Sequence, residues 1–299
     1  MVRHSEPSVS YRKVHASRAQ RLSGTLWRAL IYALLILGCI FVMTPLAWMI
    51  STSLKDIKYV FVFPPEWIPD PPQWGNFPQA LTSLPFGLYF RNTLTIAGIS
   101  LVAATISSSI IAYGFARLDF PARAPLFLIM LATLMIPTHV TLVPRFILFN
   151  WLGLVDTFVP LVAQAFFGSP IYIFLLRQFF LTIPMEMDEA ALIDGCSKWG
   201  ILWRIILPQS RPALSIVAIF SFLFHWHAFL GPLIYLNSPE KRTLALGLSE
   251  LTATPEGGIQ TSWNLLMAAS LVVMLPPILI FFLAQRYFIQ GIVFTGVKG

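Results

Sequence analysis

Long apolar stretches without a charged residue recur along this chain and divide it into blocks. A helix needs about 20 apolar residues to cross the hydrocarbon core of a bilayer, and six charge-free windows reach that length. Backbone polar groups in lipid must be paired within their own segment, which favours helices, and the short alternating segments of a membrane barrel are missing. The pattern predicts an all-α, polytopic membrane protein with six transmembrane helices, at residues 29–54, 92–116, 124–144, 157–176, 212–239 and 257–285.

The composition argues against a water-soluble domain. Hydrophobic residues make up 57% of the 299 residues, charged residues only 11%, and the mean hydropathy is +0.74, whereas soluble domains carry about 25% charged residues. Too little polar surface remains to coat a soluble particle, so membrane lipid is the expected surrounding. The two cysteines, Cys39 and Cys196, suit neither a disulfide framework nor a metal site and are interpreted as free thiols.

The distribution of basic residues indicates the orientation. With six spans both termini share one side of the membrane, and the segments on that side hold 14 of the 20 Lys and Arg residues. Basic residues concentrate in cytoplasmic segments, so both termini are predicted to be cytoplasmic. Six of them lie in residues 1–28, and a basic tail beside a first, uncleaved span explains the net charge of +7 better than nucleic-acid binding does.

Two segments outside the predicted spans have a distinct character. Residues 55–91 contain seven prolines and two tryptophans, which forbids a continuous helix and predicts an ordered extracytoplasmic loop. Residues 177–212 form a cytoplasmic segment far longer than two antiparallel helices need. The predicted organisation is a basic cytoplasmic tail (1–28), one transmembrane domain (29–289) and a short cytoplasmic tail (290–299).

The cytoplasmic segment 177–212 has a helix–break–helix pattern. Pro184 opens the first helix, whose first turn is acidic and so favours the positive end of the helix dipole. Gly195 supplies the break, and residues 197–206 have an amphipathic helical spacing that Pro208 and Pro212 end. Two interpretations stay open from the residues alone: a helical elbow that meets a protein partner, or an interfacial helix that lies on lipid.

A spaced motif in this segment resembles the EAA loop of ATP-binding-cassette (ABC) importer permeases. The matching positions are Glu189, Ala190, Ala191, Asp194, Gly195, Ile205, Leu207 and Pro208. From about residue 26 to the end the chain also resembles the carbohydrate-uptake branch of that family, in the stretches AYGFARLDFPAR (112–123), MIPTHVTLVPRF (135–146) and GLVDTFVPLV (153–162) among others. The second permease subunit of maltose-type systems is similar in length and layout.

The resemblance implies a type I importer permease fold in a prokaryotic plasma membrane. It implies a heterodimer with a second permease subunit, two copies of a cytoplasmic ABC ATPase and an extracytoplasmic solute-binding protein. The matching loop would be the coupling helix, with Glu189, Ala190, Ala191 and Gly195 on the surface that meets the ATPase. Asp194 is equally explained as a local loop cap. No cofactor is expected on this chain, ATP and Mg²⁺ being expected on the partner ATPase, which Lys298 and Gly299 in the tail would approach.

The fifth predicted span departs from the family pattern. Family members usually have a Trp-Asn-acidic-Phe element there, whereas this chain has Trp226, His227, Ala228 and Phe229, preceded by His225. Polar residues inside a membrane are costly and often functional, so either histidine could contact solute; the alternative is a neutral histidine hydrogen-bonded between helices. The two histidines do not share a helix face, so metal binding is not expected. The candidate pathway residues are Trp226, His227, Phe229, Gln164 and Asn92.

Sequence motifs also narrow the function class. The chain has no G-x-x-x-x-G-K-[ST] phosphate loop, no H-E-x-x-H and no G-x-S-x-G, so we expect a non-catalytic transmembrane subunit. An ion-coupled secondary transporter or channel is the alternative, although such proteins usually place charges at mid-membrane and the six windows contain none. The expected function is uptake of a sugar, oligosaccharide or sugar-like solute.

Overall fold

The computed structural model describes residues 18–252 and 262–293, with side chains for 27–252 and 262–285. Its described part is helical. The helices are α1 (Arg18–Ser53), α2 (Asn76–Ser83), α3 (Phe86–Arg117), α4 (Arg123–Ala132), α5 (Leu142–Trp151), α6 (Val159–Val162), α7 (Pro170–Phe180), α8 (Glu186–Ile193), α9 (Lys198–Ile201), α10 (Leu207–Gln209), α11 (Arg211–Trp226), α12 (Leu230–Tyr235), α13 (Leu244–Glu250) and α14 (Trp263–Val293). Residues 1–17, most of the basic tail, and the predicted tail contacts of Lys298 and Gly299 lie outside the described residues.

Four helical segments of the described chain are long and apolar enough to cross a membrane. They are Trp27–Ser53, Phe86–Arg117, Val159–Phe180 and Trp263–Gln285. A fifth arises if Lys198–Gln209 and Arg211–Trp226, which meet at a bend of 82°, count as one broken span. The described helices therefore establish a multi-pass helical architecture with four to five long apolar segments, and they do not confirm the predicted count of six.

The third predicted span, 124–144, is not one continuous helix. The helix α4 and a 3-10 turn (Thr133–Met135) end at Ile136, which is extended, and α5 begins at Leu142. Pro137 explains the interruption, since a proline disfavours the helical conformation of the residue before it and supplies no N–H to the helix. A charge-free window measures apolar length only, and it does not detect such a break.

The helix α3 lies at the centre of the packing. It contacts α7 and α11, and α14 packs against α11 and α1. One core, called here the loop core, is formed where the segment 181–210 packs against α3, α7 and α11. It includes Tyr113, Leu176, Phe180, Ile201, Leu202, Ile206 and Val217. The other, called the distal core, includes Phe86, Tyr89, Ala97, Phe222, Trp226, Ala268 and Ala269. The fully buried alanines of the distal core allow the helix backbones to approach closely.

The proline-rich loop is anchored to the end of α1 by one asparagine. The Asn76 Nδ2 donates to the carbonyl oxygens of Ser53 (2.9 Å) and Lys55 (2.8 Å), which lie where the last carbonyls of a helix lack partners in the helix. The Asn264 Nδ2, at the start of α14, also reaches the Lys55 carbonyl at 3.3 Å. The loop is therefore ordered, as predicted, and contains only a 3-10 turn and the eight-residue α2 before α3 begins.

An aspartate clasp joins the segment before α6 to the segment after α12. The Asp156 Oδ1 accepts the backbone N–H groups of Asn237 and Ser238, both at 2.9 Å, and its Oδ2 accepts Lys241 Nζ at 2.9 Å. The Asp156 N–H donates to the Tyr235 carbonyl at 2.7 Å. The Lys241 ammonium and the Ser238 donors hold the pKa of Asp156 well below its usual range.

Asp156→Asn is expected to lower the thermal unfolding midpoint of the detergent-purified protein at pH 7. The asparagine tolerates the left-handed backbone at φ 61° but loses the ion pair. Alanine loses the ion pair and is also strained in this backbone conformation, so Asp156→Ala should lower the midpoint further. A carboxylate whose pKa is lowered by folding stabilises the fold fully when the pH is above its unfolded-state pKa of about 3.9. The stabilisation is lost as the pH falls towards and through the folded-state pKa. The difference in unfolding midpoint between the wild type and Asp156→Asn should therefore shrink below about pH 4.

Asp119→Asn is the matched control, because Asp119 forms an exposed ion pair with Arg123 that is worth little. Equal midpoints for the wild type and Asp156→Asn at pH 7 would contradict a stabilising role for the clasp.

Candidate functional site

The segment between α7 and α11 begins with a short, well-terminated helix. The helix α8 follows Pro184 and carries three acidic residues in its first turn. At its end Gly195 adopts φ +82°, the Gly195 N–H donates to the Leu192 carbonyl and the Cys196 N–H donates to the Ala191 carbonyl at 2.8 Å. These two bonds form a Schellman motif, which satisfies the last carbonyls of a helix and favours glycine at its left-handed position. The predicted helix and its break at Gly195 are confirmed.

The second half of the segment is longer than predicted. The Ser197 hydroxyl caps α9 by accepting the Gly200 N–H at 3.1 Å, and the helix continues through a π turn (Leu202–Ile206) into α10. The helix runs past the predicted end at residue 206 to Gln209, and it stops between Pro208 and Pro212, the two prolines expected to end it. The π turn comes just before Pro208, which lacks the N–H that a regular helix would use at that position. The bend comes at Ser210, whose hydroxyl donates to the Ile206 carbonyl at 2.7 Å.

The motif residues divide into an exposed set and a packed set. Glu189, Ala190, Asp194, Gly195 and Pro208 are exposed. Ala191 is 7% exposed and belongs to the loop core, against which Ile205 and Leu207 also pack. The exposed set continues into apolar side chains on the same segment, Leu192, Ile193, Trp199 and Trp203. We define these nine exposed residues as the α8 surface.

Asp194 lies at the carboxyl end of α8 and its side chain makes no hydrogen bond to the residues that the structure describes. Its carboxylate is therefore available on the α8 surface, although the interpretation as a contact stays a prediction.

A buried ion pair beneath α8 was not predicted from the sequence. Arg117, the last residue of α3, lies 3.5 Å (Nε to Oδ2) from Asp188, and their side chains are 4% and 6% exposed. Burial raises the pKa of Asp188, and the Arg117 charge opposes that rise. The sequence signal for Asp188 was its place in an acidic first turn, which explains helix stability but does not reveal a partner 71 positions earlier.

Trp226 lies in the distal core rather than on an open surface. It stacks on Phe222 at 5.2 Å and meets Phe90 edge-on at 5.7 Å between ring centroids. Its Nε1 donates to the Val273 carbonyl at 3.2 Å. Because Pro277 has no N–H to offer that carbonyl, the indole N–H replaces a missing helix hydrogen bond inside α14.

The two histidines bond to their own helix. The Nδ1 atoms of His225 and His227 lie 2.7 and 2.9 Å from the carbonyl oxygens of Ser221 and Leu223, four residues earlier in each case. These contacts are within one helix, not between helices as the alternative interpretation supposed. His227 and Phe229 are exposed where α11 ends, so their proposed contact with solute stays a prediction.

Asn92 and Gln164 have different partners. The buried Asn92 Nδ2 donates to the carbonyls of Glu240 (2.8 Å) and Arg242 (2.9 Å), which fixes the segment after α12. The exposed Gln164 Oε1 accepts Arg145 Nη1 at 2.8 Å. Arg145 falls between the predicted spans 124–144 and 157–176 and was not expected to contact a pathway residue, whereas it lies within α5.

The family of the chain follows from a match that includes the whole α8 segment. Residues 104–293 match the family described as "binding-protein-dependent transport system inner membrane component". This chain belongs to that family. It is therefore an integral-membrane permease, and the resemblance seen in its motif positions extends over most of the chain.

Curated relatives of the permease include three transport proteins. It is 36% identical over 252 residues to the arabinooligosaccharides transport system permease protein AraQ of Halalkalibacterium halodurans, covering 83% of this chain and 86% of the relative. It is 31% identical to the sn-glycerol-3-phosphate transport system permease protein UgpE of Yersinia pestis, covering 88% and 94%. It is 32% identical to the diacetylchitobiose uptake system permease protein NgcG of Streptomyces coelicolor, covering 90% and 89%.

Solved structures establish the fold of the permease. A chain of a bacterial ABC transporter that imports the acidic polysaccharide alginate superposes with a TM-score of 0.79 at 21% identity, covering 92% of the permease and 99% of that chain. A second match, at a TM-score of 0.59, is the alginate transporter in complex with an alginate pentasaccharide-bound periplasmic protein. The permease therefore has the type I ABC importer fold.

Proposed function

We propose that the permease pairs with a second permease subunit and forms the uptake pathway for a sugar, oligosaccharide or sugar-like solute. Relatives named for arabinooligosaccharides, sn-glycerol-3-phosphate and diacetylchitobiose support this solute class. An extracytoplasmic binding protein delivers the solute, as the periplasmic protein in the alginate complex suggests. Two copies of a separate ATPase bind ATP and Mg²⁺ and supply the energy, while this prokaryotic plasma-membrane subunit catalyses no reaction.

The observation that carries the proposal is the α8 surface. Glu189 is exposed in the first turn of α8 and is free to form a charge-assisted hydrogen bond with a basic partner. Ala190 and Gly195 present no bulk, and Ile193 and Trp199 of the same segment are exposed. A rigid helix end with a small-residue centre and an apolar margin suits insertion into a groove of a protein partner. We infer that this surface docks on the ATPase.

We further propose six membrane crossings with both termini in the cytoplasm. Four crossings are the long apolar segments, and the fifth is α11 followed by α12, with Lys198–Gln209 on the cytoplasmic side. The sixth crossing is the broken pair of α4 and α5, interrupted at residues 136–141. A break inside a membrane is tolerated where protein or a water-filled pathway surrounds it. Support for the orientation comes from the 14 of 20 basic residues that fall on the amino-terminal side.

Cysteine labelling tests this orientation. In a Cys39→Ala background, a cysteine introduced at Gly75, in the proline-rich loop, should react with a membrane-impermeant maleimide in intact cells. The native Cys196, half-buried at the end of α8, should react only after the membrane is permeabilised. The reverse pattern of labelling would contradict the proposed orientation.

We propose that the pathway runs along the polar side chains that are exposed on the surface of the described helices. A guanidinium or amide at membrane depth does not face lipid without a large cost, so it faces a partner subunit or a wet pathway. Gln164 with Arg145, and His227, meet this condition. The exposed Phe229 follows His227 at the end of α11 and is proposed to line the same pathway. Asn92 and Trp226 are buried and bonded to backbone carbonyls. We propose that they fix the positions of the helices that line the pathway and do not contact the solute themselves.

Reconstitution tests the function. The permease, its co-expressed partner permease, the ATPase and the binding protein are placed in proteoliposomes with ATP inside. The binding protein is first screened by thermal shift against sugars, oligosaccharides and glycerol phosphodiesters, because a ligand stabilises the folded state by mass action. Uptake of the stabilising solute should require ATP and the binding protein. Uptake driven by an ion gradient without ATP would contradict the proposal.

A further inference from the structure

The guanidinium of Arg117 joins three helices at one point. Its Nη2 donates to the carbonyl oxygens of Phe180 (2.8 Å), the last residue of α7, and of Ile183 (2.7 Å), which lies in the connection to α8. Its Nη1 donates to the Met185 sulfur at 3.1 Å, and its Nε lies 3.5 Å from the Asp188 carboxylate on α8. The end of α3 is thereby hydrogen-bonded to the end of α7 and to the connection 181–185, and it is ion-paired with α8.

A second arginine makes the link between α3 and α7 reciprocal. Arg177, on α7, donates from Nε to the Phe115 carbonyl on α3 at 3.1 Å. Its guanidinium lies 4.3 Å from the centre of the Phe127 ring on α4, a cation–π contact. Each of the two helices therefore supplies an arginine to a carbonyl near the end of the other, and their ends are fixed relative to one another.

Stability alone is a poor explanation for a buried ion pair in this position. The desolvation of two charges roughly cancels their attraction, and apolar side chains of similar volume often serve as well. The Asp188 Oδ1 has no hydrogen-bond partner among the described residues, so the pair is not optimised for stability. What an arginine supplies that an apolar residue or a lysine does not is a rigid fork that reaches carbonyls and a carboxylate at once.

We propose that Arg117 is a positioning residue that transmits the displacement of α8 to the central helix α3. The inference rests on the proposed function, since it takes the α8 surface to be the docking site of the ATPase. The chain connects α8 to α7 through the short turn at residues 181–185 and to α11 through α9 and α10. Neither connection leads directly to α3, and Arg117 supplies that contact. Because α3 packs against both α7 and α11, a movement delivered to its end reaches the helices of the proposed pathway.

The test uses the assembled importer in proteoliposomes, with Arg117→Lys as the main variant. Lysine keeps the charge but cannot bond the two carbonyls and Asp188 together. The expected result is unchanged ATPase co-purification and a fall of roughly tenfold in solute transported per ATP hydrolysed, within the usual range of coupling between linked sites. Asp188→Asn should lower this ratio less, because the Arg117–carbonyl bonds remain.

Arg123→Lys is the matched control, because Arg123 also follows the end of α3 but pairs with Asp119 at an exposed position. It should leave the ratio unchanged. A merely structural role for Arg117 would reduce the yield of active complex, and so uptake and hydrolysis in proportion, without changing their ratio. An unchanged ratio in Arg117→Lys would overturn the inference, as would a ratio that falls equally in Arg123→Lys.

The outcome separates this inference from the docking proposal on which it rests. Ala190→Trp, which places bulk on the α8 surface, should release the ATPase from the purified complex. If Ala190→Trp retains the ATPase and full uptake, the docking proposal fails whatever Arg117→Lys does. If Ala190→Trp releases the ATPase while Arg117→Lys transports normally per ATP, docking stands and transmission through Arg117 is wrong.

Discussion

Gly195→Asp is expected to reduce uptake at least tenfold while the permease still inserts into the membrane. Gly195 ends α8 at φ +82°, where residues with a side chain are strained by roughly 1–2 kcal/mol. An added Cβ would meet no atom within 4 Å, so steric clash within the chain is not the cause. The new carboxylate would join Glu189 and Asp194 on the α8 surface and oppose docking. Uptake in proteoliposomes and membrane yield give the two measurements.

Gly153→Asp isolates the backbone cost of that substitution. Gly153 has φ +68°, and a Cβ there would also meet no atom within 4 Å, but it lies at the turn after α5, away from the α8 surface. We expect a similar loss of thermal stability with uptake near that of the wild type. Equal losses of uptake in the two variants would assign the effect to strain, and normal uptake in Gly195→Asp would contradict the role of this surface.

Enlarging Ala190 is expected to weaken the ATPase complex, whereas enlarging Ala191 is expected to lower the stability of the permease itself. Ala190 is exposed on α8, so Ala190→Leu should leave the thermal midpoint of the isolated permease unchanged and weaken the ATPase complex. Ala191 is buried in the loop core, where added methylenes usually cost about 1–3 kcal/mol through overpacking. Ala191→Leu should therefore lower the thermal midpoint of the permease before any partner is added.

The two alanine variants are compared by thermal unfolding of the permease alone and by co-purification of the ATPase. Ala190→Ser, a small change at the exposed position, serves as the control and should alter neither. A lower midpoint for Ala190→Leu, or an unaltered one for Ala191→Leu, would show that the division of the motif into exposed and packed residues is wrong.

Apolar length predicted the long helices well. Four of the six windows correspond to helical segments long enough to span a bilayer, because these windows hold continuous apolar runs that only a helix accommodates in lipid. The third window failed at Pro137, where the backbone leaves the helix. The fifth failed in length, since α11 ends at Trp226 and a separate short helix begins at Leu230.

Local signals predicted the α8 segment and missed what holds it in place. The break at Gly195 is encoded locally, since a glycine at the end of a helix favours the left-handed cap. The contact between Arg117 and Asp188 depends on the packing of α3 against α7, which no local pattern reports. Likewise, the pairing of the Trp226 indole with the carbonyl freed by Pro277 requires α11 and α14 to be neighbours.

Site-specific photo-crosslinking tests the docking of α8 on an ATPase most directly. Ile193 is 86% exposed on the α8 surface and is replaced by p-benzoylphenylalanine in the co-expressed importer, with the same substitution at the exposed Phe63 of the proline-rich loop as control. Irradiation should join position 193, but not position 63, to a subunit that carries a phosphate-binding loop, identified by mass spectrometry. If the complex contains that subunit but position 193 gives no such adduct, or if position 63 gives it, the docking claim is contradicted.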